Sequence, residues 1–308
     1  MLTLTGCPDS EFTCVDGSCV SLDVRCDGKV DCTDGTDEED CKAFITFSGY
    51  NKFLVPPPIG RESTLQINVS INIDEIITID ENDGYFKIKM TLVRRWFNTQ
   101  LTYQNLKRNA SKNTMSIEDI GRMWKPWSVL DNIEHAHELR VTDKADIMTV
   151  IPHPEYRFER ADRTSLQNTR LFAGSENAIS YQRQITVNYM CVYNMRWYPF
   201  DTQRCSIKMF HTEDSITLRP SFVNYSSPKK LAQHFVKDVR ICPLIIEERP
   251  GVIVEVTLGR PLFGTFLSVF MPTCIMLILS QMVRVFHQDY LDMVIQVNLT
   301  LLLVLATL

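Results

Sequence analysis

The most informative segment of this sequence is Cys191-Val-Tyr-Asn-Met-Arg-Trp-Tyr-Pro-Phe-Asp-Thr-Gln-Arg-Cys205. Its two cysteines enclose thirteen residues, and its second half carries an apolar run, Trp197–Phe200, that is followed by Asp201. A segment of this kind fits either a plain disulfide-bonded hairpin or a closed loop with a specific role. The residues on both sides of it are needed to decide between the two.

The chain around this loop has the pattern of short β-strands. Leu65-Gln-Ile-Asn-Val-Ser-Ile-Asn-Ile alternates apolar and polar residues with a period of two, as a half-buried strand does. Tyr85–Val93 and Val252–Leu258 follow a similar pattern. Several such strands separated by turns predict a mainly β, immunoglobulin-like sandwich.

The C-terminal part of the chain is apolar. Leu262 to Val283 includes no charged side chain over 22 positions. A helix of that length spans roughly 33 Å, which exceeds the hydrocarbon core of about 30 Å in a bilayer. A buried helix of a soluble domain is the alternative. We expect α-helical transmembrane segments, with a first helix at about 262–286 and a pore-lining second helix from about 291 that the end of the sequence truncates.

The N-terminal part is rich in cysteine. Residues 7–41 hold six of the ten cysteines, a density that predicts disulfides and an extracellular compartment. Six cysteines allow fifteen pairings, so the spacing leaves the connectivity open. A module of about 35 residues buries too little apolar surface to fold unaided, so disulfides and a metal must stabilise it. Its acidic cluster suits Ca²⁺, which takes six to eight oxygen ligands.

Composition excludes other classes of function. The net charge of −5 provides no basic surface for nucleic acid. No nucleophile–base grouping, phosphate-binding loop or catalytic metal motif stands out, so we predict no enzymatic activity. Three sequons predict N-glycosylation at Asn68, Asn109 and Asn224.

The N-terminal cysteine pattern, with Cys26-Asp-Gly-Lys-Val-Asp-Cys32 and Asp34-Gly-Thr-Asp-Glu-Glu-Asp-Cys41, resembles an LDL-receptor class A module. The resemblance implies the disulfides Cys7–Cys19, Cys14–Cys32 and Cys26–Cys41. It also implies a structural Ca²⁺ held by the side chains of Asp27, Asp31, Asp37 and Glu38 and the backbone carbonyls of Val24 and Lys29. Val24 replaces the usual tryptophan, which leaves the carbonyl in place. Whether the module also contacts a partner stays open.

The loop Cys191–Cys205, with Tyr198-Pro-Phe-Asp201, resembles the signature loop of Cys-loop pentameric ligand-gated ion channels, in particular nicotinic-receptor-like members of invertebrate type. Further motifs of that family are matched by Trp96-Phe-Asn-Thr-Gln-Leu-Thr-Tyr103, Trp124-Lys-Pro-Trp127 and Gly259-Arg-Pro-Leu262. Asn98, Tyr103 and Trp127 depart from the family pattern. The two resemblances imply a class A module at 7–41, a linker at 42–60, a ligand-binding sandwich at 61–259 and the start of a membrane domain at 260–308.

The second resemblance implies a multi-pass subunit of a homo- or hetero-pentamer in the plasma membrane, with its N-terminal domains extracellular. A small-molecule or ion agonist would bind between subunits and open a central pore. For coupling, the resemblance implies a pair between Arg260 and Glu81 and a contact of the loop with the membrane domain through Tyr198, Pro199, Phe200 and Asp201. A weak surface pair is the alternative to the coupling pair.

The same resemblance assigns the pore-lining positions to Asp289, Asp292, Ile295, Leu299, Leu302 and Ala306. Five copies of Asp292 would form an acidic ring, which attracts cations. The Pro-Ala insertion of anion-selective relatives is absent here, so we predict cation selectivity. A carboxylate that caps the helix N-terminus is the alternative role.

The agonist site departs most from the family. Thr212, Asp131 and Thr91 occupy positions where acetylcholine-type members have aromatic residues, which argues against an aromatic box for acetylcholine. The ligand-binding candidates are Asp131, Phe210, His211, Thr212, Tyr181, Arg183 and Thr91, and ordinary interface packing is the alternative for each. His135-Ala-His137-Glu138 offers a zinc site. The functional alternatives are an anion-selective or a zinc- or pH-gated channel, or a lipoprotein or endocytic receptor that is no channel.

Overall fold

A computed structural model describes residues 7–8, 11–39, 41–133, 140–141, 146–157, 160–162, 169–231, 233–246, 249–261, 263, 266–286, 295–296 and 299–300. The chain divides into two compact units. The first comprises residues up to 190 together with 206–227 and 240–255, and the second comprises 191–205, 228–239 and 256–308. Each unit is described separately below.

The cysteine-rich module is held by disulfides and one small hairpin. Strands β1 (Glu11–Thr13) and β2 (Cys19–Ser21) pair antiparallel. Its core is Phe12, which is fully buried beside Cys14 and Cys32. The three disulfides are those implied by the class A resemblance, Cys7–Cys19, Cys14–Cys32 and Cys26–Cys41. The covalent links therefore replace the apolar core that so short a segment lacks.

The rest of the first unit consists mainly of β-sheets. Their strands are β3 (Phe44–Thr46), β4 (Leu65–Asp80), β5 (Tyr85–Trp96), β6 (Leu101–Gln104), β7 (Val129–Leu130), β8 (Arg140–Val141), β9 (Ile147–Ile151), β10 (Arg160–Asp162), β11 (Thr169–Ala173), β12 (Ala178–Met190), β13 (Thr202–Phe210), β14 (Ile216–Tyr225), β15 (Phe235–Ile246) and β16 (Arg249–Gly259). Three of these strands, β13, β15 and β16, extend into the second unit. One sheet has the order β14-β4-β5-β12-β8, with β9 also on β12. Two further sheets have the orders β10-β11-β6-β3 and β15-β16-β13-β7.

The period-two pattern of the sequence explains the core. Along β5 every second residue is buried, and the fully buried side chains include Phe86, Ile88 and Met90. Burial of such a residue contributes about 1.5–3 kcal/mol. Trp96 at the end of β5 meets Trp124 edge to face, with ring centroids 5.7 Å apart. The mainly β sandwich predicted from the sequence is confirmed.

The predicted linker differs from the structure at one point. Residues 44–46 form β3, which pairs antiparallel with β6, with Phe44 opposite Tyr103. Phe44 is buried, so it belongs to the sandwich. The alternation of apolar and polar residues is too short here to be recognised in the sequence as a strand.

Helices are few among the described residues. Helix α1 (Ile117–Arg122) begins at Ser116, whose hydroxyl accepts a hydrogen bond from Asp119 N. In the second unit a π-helical turn, Phe266–Phe270, continues as helix α2 (Met271–Phe286). Of the helical segments that can be described, none combines the length and the apolar character needed to cross a membrane.

Candidate functional site

Asp201, the last residue of the loop motif, lies against Arg260 in the second unit. Arg260 Nε donates to Asp201 Oδ1 at 2.8 Å, and the two side chains are only 6% and 2% exposed. The disulfide Cys191–Cys205 closes the loop. Because Arg260 follows β16 directly, this ion pair joins the closed loop to the end of that strand. Removal of one partner from such a buried pair costs about 3–5 kcal/mol.

Gln203 holds the other oxygen of the same carboxylate. Its Nε2 donates to Asp201 Oδ2 and, at 3.0 Å, to the carbonyl of Asn194. Burial alone would raise the pKa of Asp201, but hydrogen bonds from Arg260 and Gln203 and the charge of Arg260 bring it below the ordinary value. Asp201 is therefore ionised at neutral pH. Sequence reasoning missed Gln203, whose only signal is its place two residues after Asp201.

The apolar tip of the loop contributes to an aromatic cleft in this unit. Pro199 and Phe200 line it together with Phe263, Phe266 and Phe270. The phenyl rings of Phe266 and Phe270 stack, with centroids 6.1 Å apart. Tyr198, the first residue of the motif, packs instead against the Arg260 guanidinium, 4.8 Å from its ring centroid. Within the motif, Tyr198 and Asp201 therefore contact Arg260, whereas Pro199 and Phe200 line the cleft with the residues that precede α2.

The coupling residues predicted from the sequence are brought together in part. Tyr198, Pro199, Phe200, Asp201 and Arg260 share the second unit. Glu81 belongs to the turn after β4 in the first unit, and its pair with Arg260 stays a prediction.

One group of predicted ligand residues lies at the end of β13. Phe210 is opposite Val129 in the β7–β13 ladder, and Asp131 N donates to the carbonyl of Lys208 at 3.0 Å. Asp131 and Thr212 are exposed, whereas Phe210 is half-buried. His211 is buried, and burial is the main reason that its pKa lies below the ordinary value.

Thr91 belongs to a polar cluster around Asp74, a residue that is not among the predicted ligand residues. Its hydroxyl donates to Asp74 Oδ2 at 2.8 Å, and Gln184 Nε2 donates to the same oxygen at 2.8 Å. Asn72 Nδ2 donates to the other oxygen, Oδ1. Asp74 stands at a register shift between β4 and β5, and such bulges re-aim a side chain. The signal for Asp74 was present in the sequence, because the alternation of β4 breaks at Asp74-Glu75.

Tyr181 and Arg183 both contact Asp146. The Tyr181 hydroxyl donates to Asp146 Oδ2 at 2.6 Å, and Arg183 Nε lies 3.6 Å from Asp146 Oδ1. The guanidinium of buried Arg94 lies 5.5 Å from the Tyr181 ring centroid, and its Nη1 donates to the carbonyl of Pro126. Burial lowers the pKa of Arg94 to about 10, and burial followed by the Asp146 bond raises that of Tyr181 to about 12.

These contacts place Tyr181 and Arg94 in the interior of the sandwich. Tyr181 is 2% exposed, so its ring serves the core of the sandwich. Arg183 is half-buried, with its guanidinium beside Asp146. Of the predicted ligand residues, the structure therefore gathers Asp131, Phe210 and His211 around the end of β13 and Thr91 with Arg183 on the neighbouring strands β5 and β12.

Two of the four carboxylates predicted to hold Ca²⁺ accept hydrogen bonds from the backbone N–H groups of the other two residues. Asp37 Oδ2 accepts from Asp31 N at 2.8 Å, and Glu38 Oε1 accepts from Asp27 N at 2.8 Å. Asp37 is completely buried, and a buried carboxylate is costly unless a cation or hydrogen bonds compensate its charge. All four side chains offer oxygen ligands, the kind of ligand that a hard cation such as Ca²⁺ prefers.

A different trio has ligand-type atoms within 4.8 Å of one another, namely Cys14, Cys32 and Asp34. It is no metal centre, because both sulfurs are joined in a disulfide and provide no thiolate. Among the described residues, no three of the predicted carboxylates converge as closely.

The remaining predicted positions lie on exposed surface or outside the described residues. Asn68, Asn109 and Asn224 are exposed, so glycosylation there stays a prediction. Ile295 and Leu299 are helical and exposed. Asp289, Asp292, Leu302 and Ala306 lie outside the described residues, as do His135, His137 and Glu138.

Comparison with known families agrees with this architecture. The sequence profile of the neurotransmitter-gated ion-channel ligand binding domain matches residues 44–229, and that of the low-density lipoprotein receptor domain class A matches residues 5–41. The first match covers more than half of the chain, which therefore belongs to the neurotransmitter-gated ion-channel family. In this chain the ligand-binding domain follows a class A module, as the resemblances predicted.

Its relatives are distant. The chain is 20% identical over 218 residues to the serotonin-gated chloride channel mod-1 of Caenorhabditis elegans, which covers 65% of this chain and 39% of that protein. It is 18% identical over 258 residues to the glutamate-gated chloride channel of Drosophila melanogaster, covering 80% and 51%. The CD320 antigen of Rattus norvegicus is 54% identical over 53 residues, covering 17% and 19%. The chain thus spans about half or less of the length of these channels.

Proposed function

We propose that this chain is the sensing part, and the start of the membrane domain, of a subunit of a pentameric ligand-gated ion channel in the plasma membrane. The observation that carries the proposal is the disulfide-closed loop whose Asp201 is buried against Arg260 at the end of β16. Such a pair resists separation because each charge would be left buried without the other. A displacement of β16 therefore moves the loop with it.

The same geometry supports the coupling step. Phe200 on the loop and Phe263 and Phe266 before α2 line one aromatic cleft, so the loop tip contacts the first residues of the predicted first membrane helix. The proposed sequence of events is agonist binding, movement of β16, and transfer of that movement to the membrane segments through the loop.

We further propose an agonist that carries an amine. Family likeness assigns Thr91 to the complementary side of the agonist site, and the structure gives it an anionic neighbour, Asp74. A carboxylate has about four lone-pair sites, and Asp74 uses three of them on Asn72, Thr91 and Gln184. A ligand ammonium would take the fourth. The names of two relatives include serotonin and glutamate, and both compounds carry an ammonium group.

For the class A module we propose a structural Ca²⁺, held by Asp27, Asp31, Asp37 and Glu38. The hydrogen bonds that connect Asp31 to Asp37 and Asp27 to Glu38, together with the burial of Asp37, support it. When bound, the ion supplies the charge that compensates this cluster. The chain's own part is to orient the carboxylates through the backbone N–H groups of Asp27 and Asp31.

For ion selectivity we retain the proposal of a cation channel, which is based on the predicted acidic ring at Asp292. An anion channel is the second candidate, because the two channel relatives above are named as chloride channels. Replacement of external sodium by an impermeant cation should shift the reversal potential of a cation channel. A shift that follows external chloride instead would refute cation selectivity and establish the second candidate.

Expression in oocytes tests the proposal as a whole. The complete natural chain should produce currents when a panel of small amines and amino acids is applied, with zinc and acid pulses included for the alternative gating modes. Channels with Asp201→Asn should reach the surface less and respond more weakly than those with the exposed substitution Lys229→Gln. Confirmed surface pentamers that stay silent to every agonist would refute the proposed gating, and surface monomers would favour a non-channel receptor.

A further inference from the structure

Lys107 links the class A module to the sandwich. It is 7% exposed and lies three residues after β6, in the sandwich part of the first unit. Its Nζ donates to the backbone carbonyls of Leu22 and, at 2.7 Å, of Arg25, both in the module. A lysine ammonium is seldom buried without partners, and here its partners come from a segment more than eighty positions earlier.

The sandwich holds Lys107 in position through Asn113. Lys107 N donates to Asn113 Oδ1 at 2.7 Å, and Asn113 Nδ2 donates back to the Lys107 carbonyl at 2.9 Å. Asn113 Nδ2 also donates to the carbonyl of Val150 at 3.2 Å, in β9. The backbone that carries the Lys107 ammonium is therefore held in place by the hydrogen bonds of Asn113.

The module presents its two acceptors from one tight turn. Val24 N donates to the carbonyl of Ser21 at 3.1 Å, so Leu22 lies inside the turn and Arg25 directly after it. The Arg25 guanidinium packs 4.5 Å from the centroid of the buried Phe12 ring, which ties the turn to the module core. The two carbonyls that Lys107 binds thus flank Val24, whose own carbonyl is a proposed Ca²⁺ ligand.

The connection between the two parts is short. Only Lys42 and Ala43 separate Cys41 from β3, and Gln104 N donates to the carbonyl of Ala43 at 3.1 Å. Since the entropy cost of closing a connection grows with its length, a connection this short adds little to the cost of docking. The local concentration of the module at Lys107 is therefore high.

We infer that Lys107 docks the class A module on the ligand-binding sandwich and that Ca²⁺ binding to the module controls this docking. The inference rests on the proposed Ca²⁺ site. An ion that holds the Val24 carbonyl fixes the turn and with it the directions of the Leu22 and Arg25 carbonyls. Without the ion the turn loses that restraint, and the ammonium loses well-aligned acceptors.

Hydrogen exchange on the full-length chain in lipid nanodiscs tests the inference without any need for channel activity. The readouts are the backbone amides of residues 11–39 in the module and those of residues 101–107 in the sandwich. Three proteins are compared with and without a calcium chelator, namely wild type, Lys107→Met and the control Lys112→Met. Lys112 is an exposed lysine of the same segment.

In wild type, chelation should speed exchange in both regions. Exchange at residues 101–107 should rise about tenfold, which corresponds to roughly 1.4 kcal/mol and to the loss of one charge-assisted hydrogen bond. Lys107→Met should show this faster exchange at saturating calcium, with the module still protected, while Lys112→Met should match wild type.

Each contrary result has its own meaning. If chelation left the exchange rates of the module amides unchanged, the Ca²⁺ site would be refuted and, with it, control of docking by calcium. If chelation raised the exchange rates in the module but not at residues 101–107, the docking alone would be refuted. Equal exchange in Lys107→Met and wild type at saturating calcium would show that Lys107 is not the anchor.

Discussion

Neutralisation of the Asp201–Arg260 pair tests how the loop is held. Asp201→Asn leaves the Arg260 charge buried, and Arg260→Gln leaves the Asp201 charge buried. At a separation of about 4 Å and an effective dielectric constant of about 20, the attraction between two unit charges is about 4 kcal/mol. This agrees with the loss of about 3–5 kcal/mol that follows the removal of one partner from a buried pair. Each single variant should therefore be severely destabilised.

The double variant should be far less damaged than either single variant. With both charges neutral, no buried charge lacks its partner, and similar side-chain volumes preserve the packing. The assay is surface biotinylation of the pentamer in oocytes, followed by agonist concentration–response curves for every variant that reaches the surface. The control is Lys237→Met, which removes an exposed 2.7 Å hydrogen bond to Thr202 in the same unit and should change little.

The pH range of the experiment follows from the direction of the Asp201 shift. Because the folded-state pKa lies below the ordinary value of about 3.9, the stabilisation is fully present above that value and is lost as the pH falls through the lower folded pKa. Recording at neutral pH therefore tests the intact pair. If the double variant were as poorly expressed as the two single effects combined, Asp201 and Arg260 would contribute independently of each other, and the coupling argument would fail.

Three further predictions concern the first unit. Gly174→Ala should lower the free energy of unfolding by more than the roughly 1–3 kcal/mol typical of overpacking, because a Cβ there would lie 2.0 Å from a backbone oxygen. In the control Gly121→Ala the added Cβ meets no atom within 4 Å and should be tolerated. The thermal midpoints of the purified chains measure the difference. His211 is buried with a lowered pKa, so the thermal midpoint should fall as the pH drops below about 6.5 and level off below the lowered pKa, and His211→Asn should flatten this dependence. Asp74→Asn should raise the half-maximal agonist concentration about tenfold or more, because it weakens a charge-assisted hydrogen bond to the amine of the agonist. The control Asp83→Asn, at an exposed position, should leave this concentration unchanged. A similar response in both variants would contradict the agonist proposal.

The sequence predicts the sandwich well because its information is local. Alternation in β4 and β5 and the apolar side chains of Phe86 and Ile88 depend only on neighbouring positions. The three-residue strand β3 escapes detection, since its identity comes from pairing with β6, more than fifty positions away. Tertiary pairing of this kind leaves little trace in the residues that it joins.

The candidate site was harder to predict for the same reason. Thr91 was identified by family position, yet its chemistry comes from Asp74 and Gln184, the latter 110 positions from Asp74. Arg260 was identified as a coupling residue, but its partner within the second unit is Asp201, 59 positions earlier. A sequence pattern can show that a polar residue stands where an apolar one is expected. The partner that forms its hydrogen bond or ion pair is known only from the folded structure.

Three buried cations illustrate what such polar contacts contribute. Arg94 bonds to the carbonyl of Pro126, Lys107 to carbonyls of the module, and Arg260 to Asp201. Apolar residues of similar volume at these places would often be as stable or more so, because burial of a charge costs several kcal/mol before any partner is counted. A cation, however, tolerates only the arrangement that supplies its acceptors, so each contact selects one relative position of two segments. We therefore expect Lys107→Met to fold with its sandwich intact and its module undocked, which separates the stability of the parts from the geometry between them.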